Sequence, residues 1–171
     1  MKAKITLFFL AAIVMASCSV ENEETYPNET TVNLETPGGD DPIICYSTNL
    51  IAGQNMTIGT VSYSSDGTTV TITYTITDSD WTIDLTHLWI GDCNDLPTNN
   101  PGNPLVGQFP YSESHPGATE YSYTIDVSTL DGFCVAAHAE AIGPTSETAW
   151  AEGMPFEGNN WAMYFDVTNC F

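Results

Sequence analysis

Positive charge is nearly missing from this sequence. Its 171 residues include only two basic ones, Lys2 and Lys4, against 22 Asp and Glu residues. Nucleic acid binding requires cations that replace the counterions condensed on phosphates, so nucleic acid is excluded as a partner. All acidic residues follow position 18, so the chain beyond it carries a side-chain charge of −22 with its histidines neutral. Such a chain is repelled by anionic surfaces and suits a salty medium or bound cations.

Other signatures are missing as well. No stretch of the chain after its first 20 residues has helical periodicity, which excludes a helical bundle. No CxxC pair occurs, so a structural zinc site is disfavoured. The chain contains no HExxH motif, no nucleophile elbow of a Ser-His-Asp triad and no phosphate-binding glycine loop. The sequence therefore carries no signature of a particular reaction.

The first residues have the pattern of an export signal. A basic start is followed by an apolar run from Ile5 to Met15, which is shorter than the roughly 20 residues that a membrane-spanning helix needs. The run ends in Val14-Met15-Ala16-Ser17-Cys18, which resembles a bacterial lipobox. This resemblance implies that residues 1–17 are removed and that Cys18 is acylated with chains such as palmitate, which anchor the protein to a membrane. The alternative is a plain signal peptide cleaved near Ala16-Ser17.

An acidic segment follows Cys18. Its start, Ser19-Val20-Glu21-Asn22-Glu23-Glu24, resembles the export tag of surface lipoproteins in Bacteroidota-type bacteria, which implies an outer-membrane protein exposed at the cell surface. The alternative is an ordinary solvated tether. Residues 18–44 are rich in Glu, Asn, Thr and Pro and lack the apolar content for a core, so we expect a flexible tether.

The remaining cysteines are Cys45, Cys93, Cys134 and Cys170. In an exported, oxidising setting, four cysteines predict two disulfides. Four thiols allow three pairings, and spacing alone does not choose among them. The preferred pairing joins Cys45 to Cys170, which bracket the domain, and Cys93 to Cys134.

Residues 45–171 suffice for one domain, and their pattern has period two. Val70 to Ile76 alternates apolar residues with Thr, as a half-buried antiparallel strand does. Ser65-Asp66-Gly67 predicts a hairpin turn back to a strand at Thr60 to Tyr63. Further strands are expected at Tyr46 to Ile51, Trp81 to Ile90, Tyr121 to Val127, Phe133 to Ile142 and Trp161 to Thr168. These strands predict an all-β domain, a single antiparallel β-sandwich, with a small β-barrel as the alternative.

The preferred disulfide also predicts a register. If Cys93 lies directly opposite Cys134 in neighbouring antiparallel strands, Trp89 opposes His138 and His87 opposes Glu140. These four side chains share one face, and the other face carries the apolar set Leu88, Ile90, Val135, Ala137 and Ala139. A bulge is required near Asp84 to Thr86, because Trp81, Ile83 and Leu85 have the parity of the polar face.

The face with His87, Trp89, His138 and Glu140 is the candidate ligand site. Two imidazoles and a carboxylate suit zinc or another divalent cation, and an exposed indole suits stacking on a sugar. The alternative is an outer sheet surface in which an aromatic ring packs on imidazole. His115 lies in an expected loop and is a candidate additional ligand.

Two weaker candidates are rich in oxygen. The loop from Asp92 to Asn103 has carboxylates and amides that suit calcium, although it departs from the EF-hand pattern and turn residues explain it equally. Glu147, Glu152 and Glu157, on an expected loop with Trp150, would supply an acid and a base if they converged.

The domain resembles a β module of secreted and surface proteins of bacteria to which no activity is assigned. The resemblance rests on Thr86-His87-Leu88, Gly102-Asn103-Pro104, Gly107 to Tyr111, Ala136 to Ala139, Glu147 to Trp150 and Asn160 to Phe165. It implies an exported accessory domain. Three functions stay open: a surface binding or adhesion domain for a glycan or protein, which is preferred, a structural lipoprotein of an envelope complex, and a small hydrolase.

Overall fold

The computed structural model describes residues 43–170, which contain ten β-strands and four short 3-10 turns. The strands are β1 Ile43–Ala52, β2 Met56–Ser65, β3 Thr69–Ile76, β4 Thr82–Gly91, β5 Tyr111–Ala118, β6 Glu120–Asp126, β7 Cys134–Ile142, β8 Ser146–Ala151, β9 Met154–Pro155 and β10 Met163–Asp166. The predicted signal peptide, Cys18 and the tether up to residue 42 lie outside the described residues. Within the described range, no helix has the length and apolar character to cross a membrane.

Alternation of apolar and hydroxyl residues builds one half of the sheet. In β3, Val70, Ile72, Tyr74 and Ile76 are buried, and the Thr residues between them stay partly exposed. The outward side chains of β2, β3 and β6 form what we call the Ser/Thr face: Thr60, Ser62, Thr71, Thr73, Thr75, Ser122 and Thr124. The expected hairpin between β2 and β3 is present, with Gly67 at a φ of 85°. Its Asp66 carboxylate accepts hydrogen bonds from the backbone N–H groups of Thr69 and Thr68, which hold its pKa far below the usual range.

The strands form one antiparallel sheet in the order β5-β4-β7-β8-β1-β2-β3-β6, and β10 pairs with the start of β7. The two terminal strands of this order, β5 and β6, are consecutive in the chain and are joined through Thr119, so the sheet curls into a nearly closed barrel. The all-β prediction is confirmed, and the architecture matches the barrel alternative rather than two separate sheets.

Side chains bridge the seam between β5 and β6, where no backbone ladder occurs within residues 43–170. The rings of His115 and Tyr121 stack at 3.7 Å, and the Tyr121 hydroxyl donates to the Glu113 carboxylate at 2.9 Å. That hydrogen bond raises the pKa of Tyr121 to about 12. The Thr86 hydroxyl lies 2.8 Å from both the His115 Nε2 and the Tyr123 hydroxyl. The seam is thus closed by aromatic and polar side chains.

The barrel interior is filled with side chains. Its largest fully buried members include Tyr63, Tyr74, Leu50, Ile58, Ile72, Ile83 and Leu88. On β7 and β8 the interior positions are mostly Ala, namely Ala137, Ala139, Ala141, Ala149 and Ala151. These small residues leave room for the tyrosines and isoleucines of the opposite wall, as close packing requires.

Four strands differ from the expectations. His115 was expected to lie in a loop, but it lies in β5. This strand contains Pro116 and ends the sheet order, where Pro is tolerated. Trp150 lies in β8 rather than in the expected loop. The sequence signal for this strand is weak because β8 is short and contains two Ala residues. β9 has only two residues. The strand expected from Trp161 to Thr168 is shorter in the structure, Met163–Asp166.

Both predicted disulfides are present. Cys45 at the start of the domain is joined to Cys170 near its end, with Cα atoms 5.7 Å apart. Cys93, in the 3-10 turn after β4, is joined to Cys134 at the start of β7, with Cα atoms 5.1 Å apart. The first bond ties the two ends of the domain together, and the second holds the long segment after β4 against the sheet.

Candidate functional site: the loop layer on the outer face of the sheet

The four predicted site residues share the outer face of β4 and β7, as expected, but their register was wrong by two residues. His87 opposes His138, Trp89 opposes Ala136, and Leu85 opposes Glu140. The error arose because Cys93 lies beyond the end of β4, so the ladder partner of Cys134 is Gly91. A shift of two keeps each side chain on its face, so the predicted interior set and the bulge, here between Ile83 and Leu85, are confirmed.

His87 and His138 form a close pair. Their Nδ1 atoms lie 3.3 Å apart, and the His138 ring packs on Trp150 with ring centroids 4.8 Å apart. Burial, followed by repulsion from a charged His87, lowers the pKa of His138 to about 3. Burial also lowers the pKa of His87, against the smaller opposing effect of Glu140. Both rings are therefore neutral at physiological pH, which suits hydrogen bonding and packing.

A three-ligand cation site is not assembled by this pair. Among residues 43–170, one group of three His, Cys, Asp or Glu side chains has ligand atoms close enough for a metal, and it consists of Cys93, Cys134 and Asp166. Its two sulfurs are joined in the disulfide and do not offer thiolates. The structure thus brings His87 and His138 together but does not group Glu140 with them.

Two chain segments cover this face and form what we call the loop layer, residues 92–110 and 152–162. Leu96 and Phe109 of the first segment and Phe156 and Ala162 of the second pack on the outer face of the sheet. With Cys134, Ala136 and Trp150 of the sheet they form what we call the outer cluster. The segments also join each other, because Gly158 N–H donates to the Gly102 carbonyl at 3.2 Å and the Asn160 amide donates to Asn103 Oδ1. The barrel therefore has a second, smaller core outside its sheet.

The loop layer changes the environment predicted for Trp89. Its indole packs against the outer cluster, and its Nε1 is buried without a hydrogen-bond partner among the described residues. It was expected to be an exposed platform for a sugar, but its indole is partly buried. The packed outer surface, the alternative interpretation of this cluster, describes the structure better.

His115 does not join the other histidines. It lies in β5, is buried, and contacts Thr86, which faces the barrel interior. Burial lowers its pKa, against the smaller opposing effect of Glu113. It therefore has a structural place in the seam, on the other side of the sheet from His87.

Several oxygen atoms of the Asp92 to Asn103 loop accept hydrogen bonds from the backbone of the loop itself. The Asp92 carboxylate accepts from the Asn94 backbone N–H at 2.9 Å, and the Asn99 side chain accepts from the Asn103 N–H at 3.0 Å. Asp131 accepts from the Asp92 N–H at 3.2 Å. These bonds fix the shape of the loop, as the alternative of a turn-rich segment anticipates.

The three glutamates have separate surroundings. Glu147, in β8, accepts from Thr145 at 3.0 Å, and Glu152 accepts from Asn49 at 2.8 Å. Glu157 lines a groove with Phe156 and Tyr164. No pair of them shares a hydrogen-bond partner among the described residues, so the expected acid and base pair is not supported by these contacts.

Two grooves open on the loop layer. The inter-loop groove, of about 290 Å³, lies between the two segments and is lined by Cys93, Asn94, Leu96, Thr98, Gly102, Phe156, Glu157 and Tyr164. The amide groove, of about 360 Å³, is lined by Gln54 of the β1–β2 hairpin and by Asn159, Asn160 and Trp161. Neither groove was predicted from the sequence. The available signal was the run from Cys134 to Ala139, whose lack of polar alternation indicates a strand covered on both faces.

The chain matches no model of a known protein family, no curated protein and no solved structure.

Proposed function

We propose that this protein is a lipoprotein of the outer membrane, anchored through Cys18 and exposed at the cell surface, and that its β domain is a binding module. The resemblance of Val14 to Cys18 to a lipobox and the acidic segment after Cys18 support the anchor. The two disulfides suit an oxidising compartment, and the lack of Lys and Arg after Cys18 suits a saline exterior.

The observation that carries the binding function is the loop layer. The barrel interior is filled, whereas the loop layer bears two grooves, each lined by one or two aromatic side chains among polar ones. Small-molecule sites commonly have such a combination of apolar walls and a few polar groups. The second disulfide holds the first segment at Cys93, which limits the ordering entropy that binding would cost.

Site-specific photocross-linking on intact cells tests the binding function. A benzophenone amino acid replaces Thr98, which lines the inter-loop groove, or Thr124, an equally exposed threonine of the Ser/Thr face. Discrete adducts from position 98 and not from position 124 are expected. Adducts from position 124 alone, or from neither position, would refute the proposed binding surface.

The anchor is tested separately. Cys18→Ala should abolish acylation and release the protein from the membrane fraction, and a protease added to intact cells should remove the acylated wild-type domain. Acyl labelling that persists in Cys18→Ala would refute the lipobox assignment, and a domain protected from the protease until lysis would refute surface exposure.

A further inference from the structure

The amide groove is lined by neutral polar and aromatic side chains, although the protein as a whole is acidic. Gln54, Asn159 and Asn160 carry primary amides, Trp161 carries an indole, and none of the four has a charge. Each amide offers two N–H donors and one carbonyl acceptor on the same side chain. Vicinal hydroxyl groups of a sugar both donate and accept hydrogen bonds. Primary amides can therefore form hydrogen bonds of both kinds with a sugar that carries no charge.

Trp161 has the setting of a stacking platform. Its indole is partly buried because it packs against the outer cluster, and it also lines the groove. A ring held by packing loses little conformational entropy when a ligand covers its remaining surface. The C–H groups on one face of a pyranose pack well on an indole, whose face is electron-rich.

The amides differ in how they are used within the protein. Asn160 is committed to the fold, because its Nδ2 donates to Asn103 and its Oδ1 accepts from the Ala162 N–H at 2.7 Å. Within residues 43–170, the side chains of Gln54 and Asn159 have no hydrogen-bond partner. Asn160 therefore holds the rim of the groove in place, and Gln54 and Asn159 have free hydrogen-bonding groups to offer.

Gln54 also has an unusual backbone. Gly53 and Gln54 have φ values of 52° and 76°, and Asn55 N–H donates to the Ala52 carbonyl at 3.3 Å, as in a type I′ turn. Gln54 is the only non-glycine residue with positive φ in the described part of the chain. Glycine, Asn or Asp normally occupies this place, since a longer side chain is strained there. The positive φ of Gln54, at the edge of the groove, therefore lowers the stability of the fold. Backbone strain of this kind often occurs at functional sites.

We infer that the amide groove binds a neutral sugar residue of a glycan, stacked on Trp161 and hydrogen-bonded by Gln54 and Asn159. This inference rests on the proposed binding function of the loop layer and names its ligand class. The groove volume, about 360 Å³, lies within the range of roughly 300–1,000 Å³ of small-molecule sites. Anionic sugars are disfavoured by the net charge of the chain, and cationic sugars would be attracted without needing this groove.

The test uses the acylated protein purified in detergent and labelled with 15N. The indole N–H signals of Trp81, Trp89, Trp150 and Trp161 are followed while neutral oligosaccharides of glucose, mannose, galactose, xylose or N-acetylglucosamine are added. We expect at least one of them to shift the Trp161 signal saturably and to leave the buried Trp81 and Trp150 signals in place. The shift should persist at high salt, since no ion pair contributes to it.

Variants separate binding from folding. Trp161→Ala should weaken binding at least tenfold, but it also removes packing, so Gln54→Gly and Asn159→Ala are measured beside it. Gln54→Gly should weaken binding several-fold and raise the melting temperature, because glycine relieves the strained turn. Asn55→Ala and Asn100→Ala, which change exposed amides outside the groove, should leave binding unchanged.

Three results would overturn the inference. In the first, no neutral oligosaccharide moves the Trp161 signal. In the second, binding is unaffected by Gln54→Gly and Asn159→Ala. In the third, only cationic glucosamine oligomers bind, and their binding disappears at high salt. If position 98 still cross-links on cells, the binding function survives and only the sugar is wrong. If position 98 yields no adduct either, both proposals fail.

Discussion

The two halves of the outer surface of the barrel differ in the side chains that the strands present there and in whether other segments cover them. On the Ser/Thr face, small hydroxyl side chains meet across strands, as in the 2.8 Å contact of Thr73 with Ser122 and the 3.4 Å contact of Thr71 with Thr124. On β4, β7 and β8, the outer face carries Trp89, His138 and Trp150 and is covered by the loop layer. A strand with polar residues at alternate positions can expose its polar face to water. A strand that is apolar on both faces requires another segment to pack on its outer face. The two grooves of the loop layer therefore lie where long segments are packed onto the sheet.

The largest expected effect concerns the two disulfides. With sequence separations of 125 and 41 residues, chain entropy predicts losses of about 5 kcal/mol for the Cys45→Ala, Cys170→Ala double variant and about 4 kcal/mol for the Cys93→Ala, Cys134→Ala one. Denaturant unfolding measures both losses. The second variant should also speed amide hydrogen exchange in residues 92–110, because Cys93 holds that segment. Equal exchange there in both variants would contradict a local role for this bond.

The next effect is a pH dependence of stability that comes mainly from His138 in the covered half. Since the pKa of His138 is lowered to about 3, the unfolded state binds a proton below about pH 6.5 that the folded state does not. Stability should be full above pH 6.5 and fall as the pH drops toward 3, by on the order of 4 kcal/mol from His138. The lowered pKa values of His87 and His115 act in the same direction. Urea unfolding at several pH values measures this loss.

A matched variant isolates the contribution of the His138 imidazole to this pH dependence. His138→Phe keeps an aromatic ring against Trp150, so it should remove most of the stability loss between pH 6.5 and 4.5. An unchanged pH profile in His138→Phe would show that the depressed pKa of His138 is not the cause.

Truncation of the outer cluster should cost slightly less. Trp150→Ala removes a buried indole that contacts Phe109, Phe156 and His138, so we expect a loss of about 3–4 kcal/mol in the free energy of unfolding. Calorimetry measures the loss, and loosened exchange in the loop layer should accompany it. A loss under about 1 kcal/mol would mean that the loop layer is not a packed core.

The smallest effect is expected on the Ser/Thr face. Thr73→Ala removes one cross-strand hydroxyl contact at a solvated surface, so stability should change by less than about 0.5 kcal/mol. The same denaturant titration measures it. A loss as large as that of Trp150→Ala would remove the contrast between the two halves.

The predicted faces of β4 and β7 are confirmed, whereas the predicted register between these strands was wrong. Both outcomes follow from the use of cysteines to align the strands. Cysteines constrain which strands are neighbours, but a disulfide joins residues in turns as readily as in ladders, so Cys93 did not mark the register. An offset of two residues left His87, Trp89 and His138 on one face and moved each to a different partner. The contacts of the histidines therefore could not be predicted from the sequence, and neither could the partial burial of Trp89.

Sequence alone was sufficient for what depends on local pattern: the all-β class, most strands, the inner and outer faces of β3, β4 and β7, and the need for a bulge before Thr86. The alternation of apolar and polar residues and the enrichment in β-branched residues are local patterns, so they can be recognised in the sequence. Only the tertiary structure decided the closure of the barrel, the covering of His138 and Trp150, and the meeting of Gln54 with Trp161. Each of these depends on how segments far apart in the chain pack together, and many weak contacts, rather than any one residue type, set that packing.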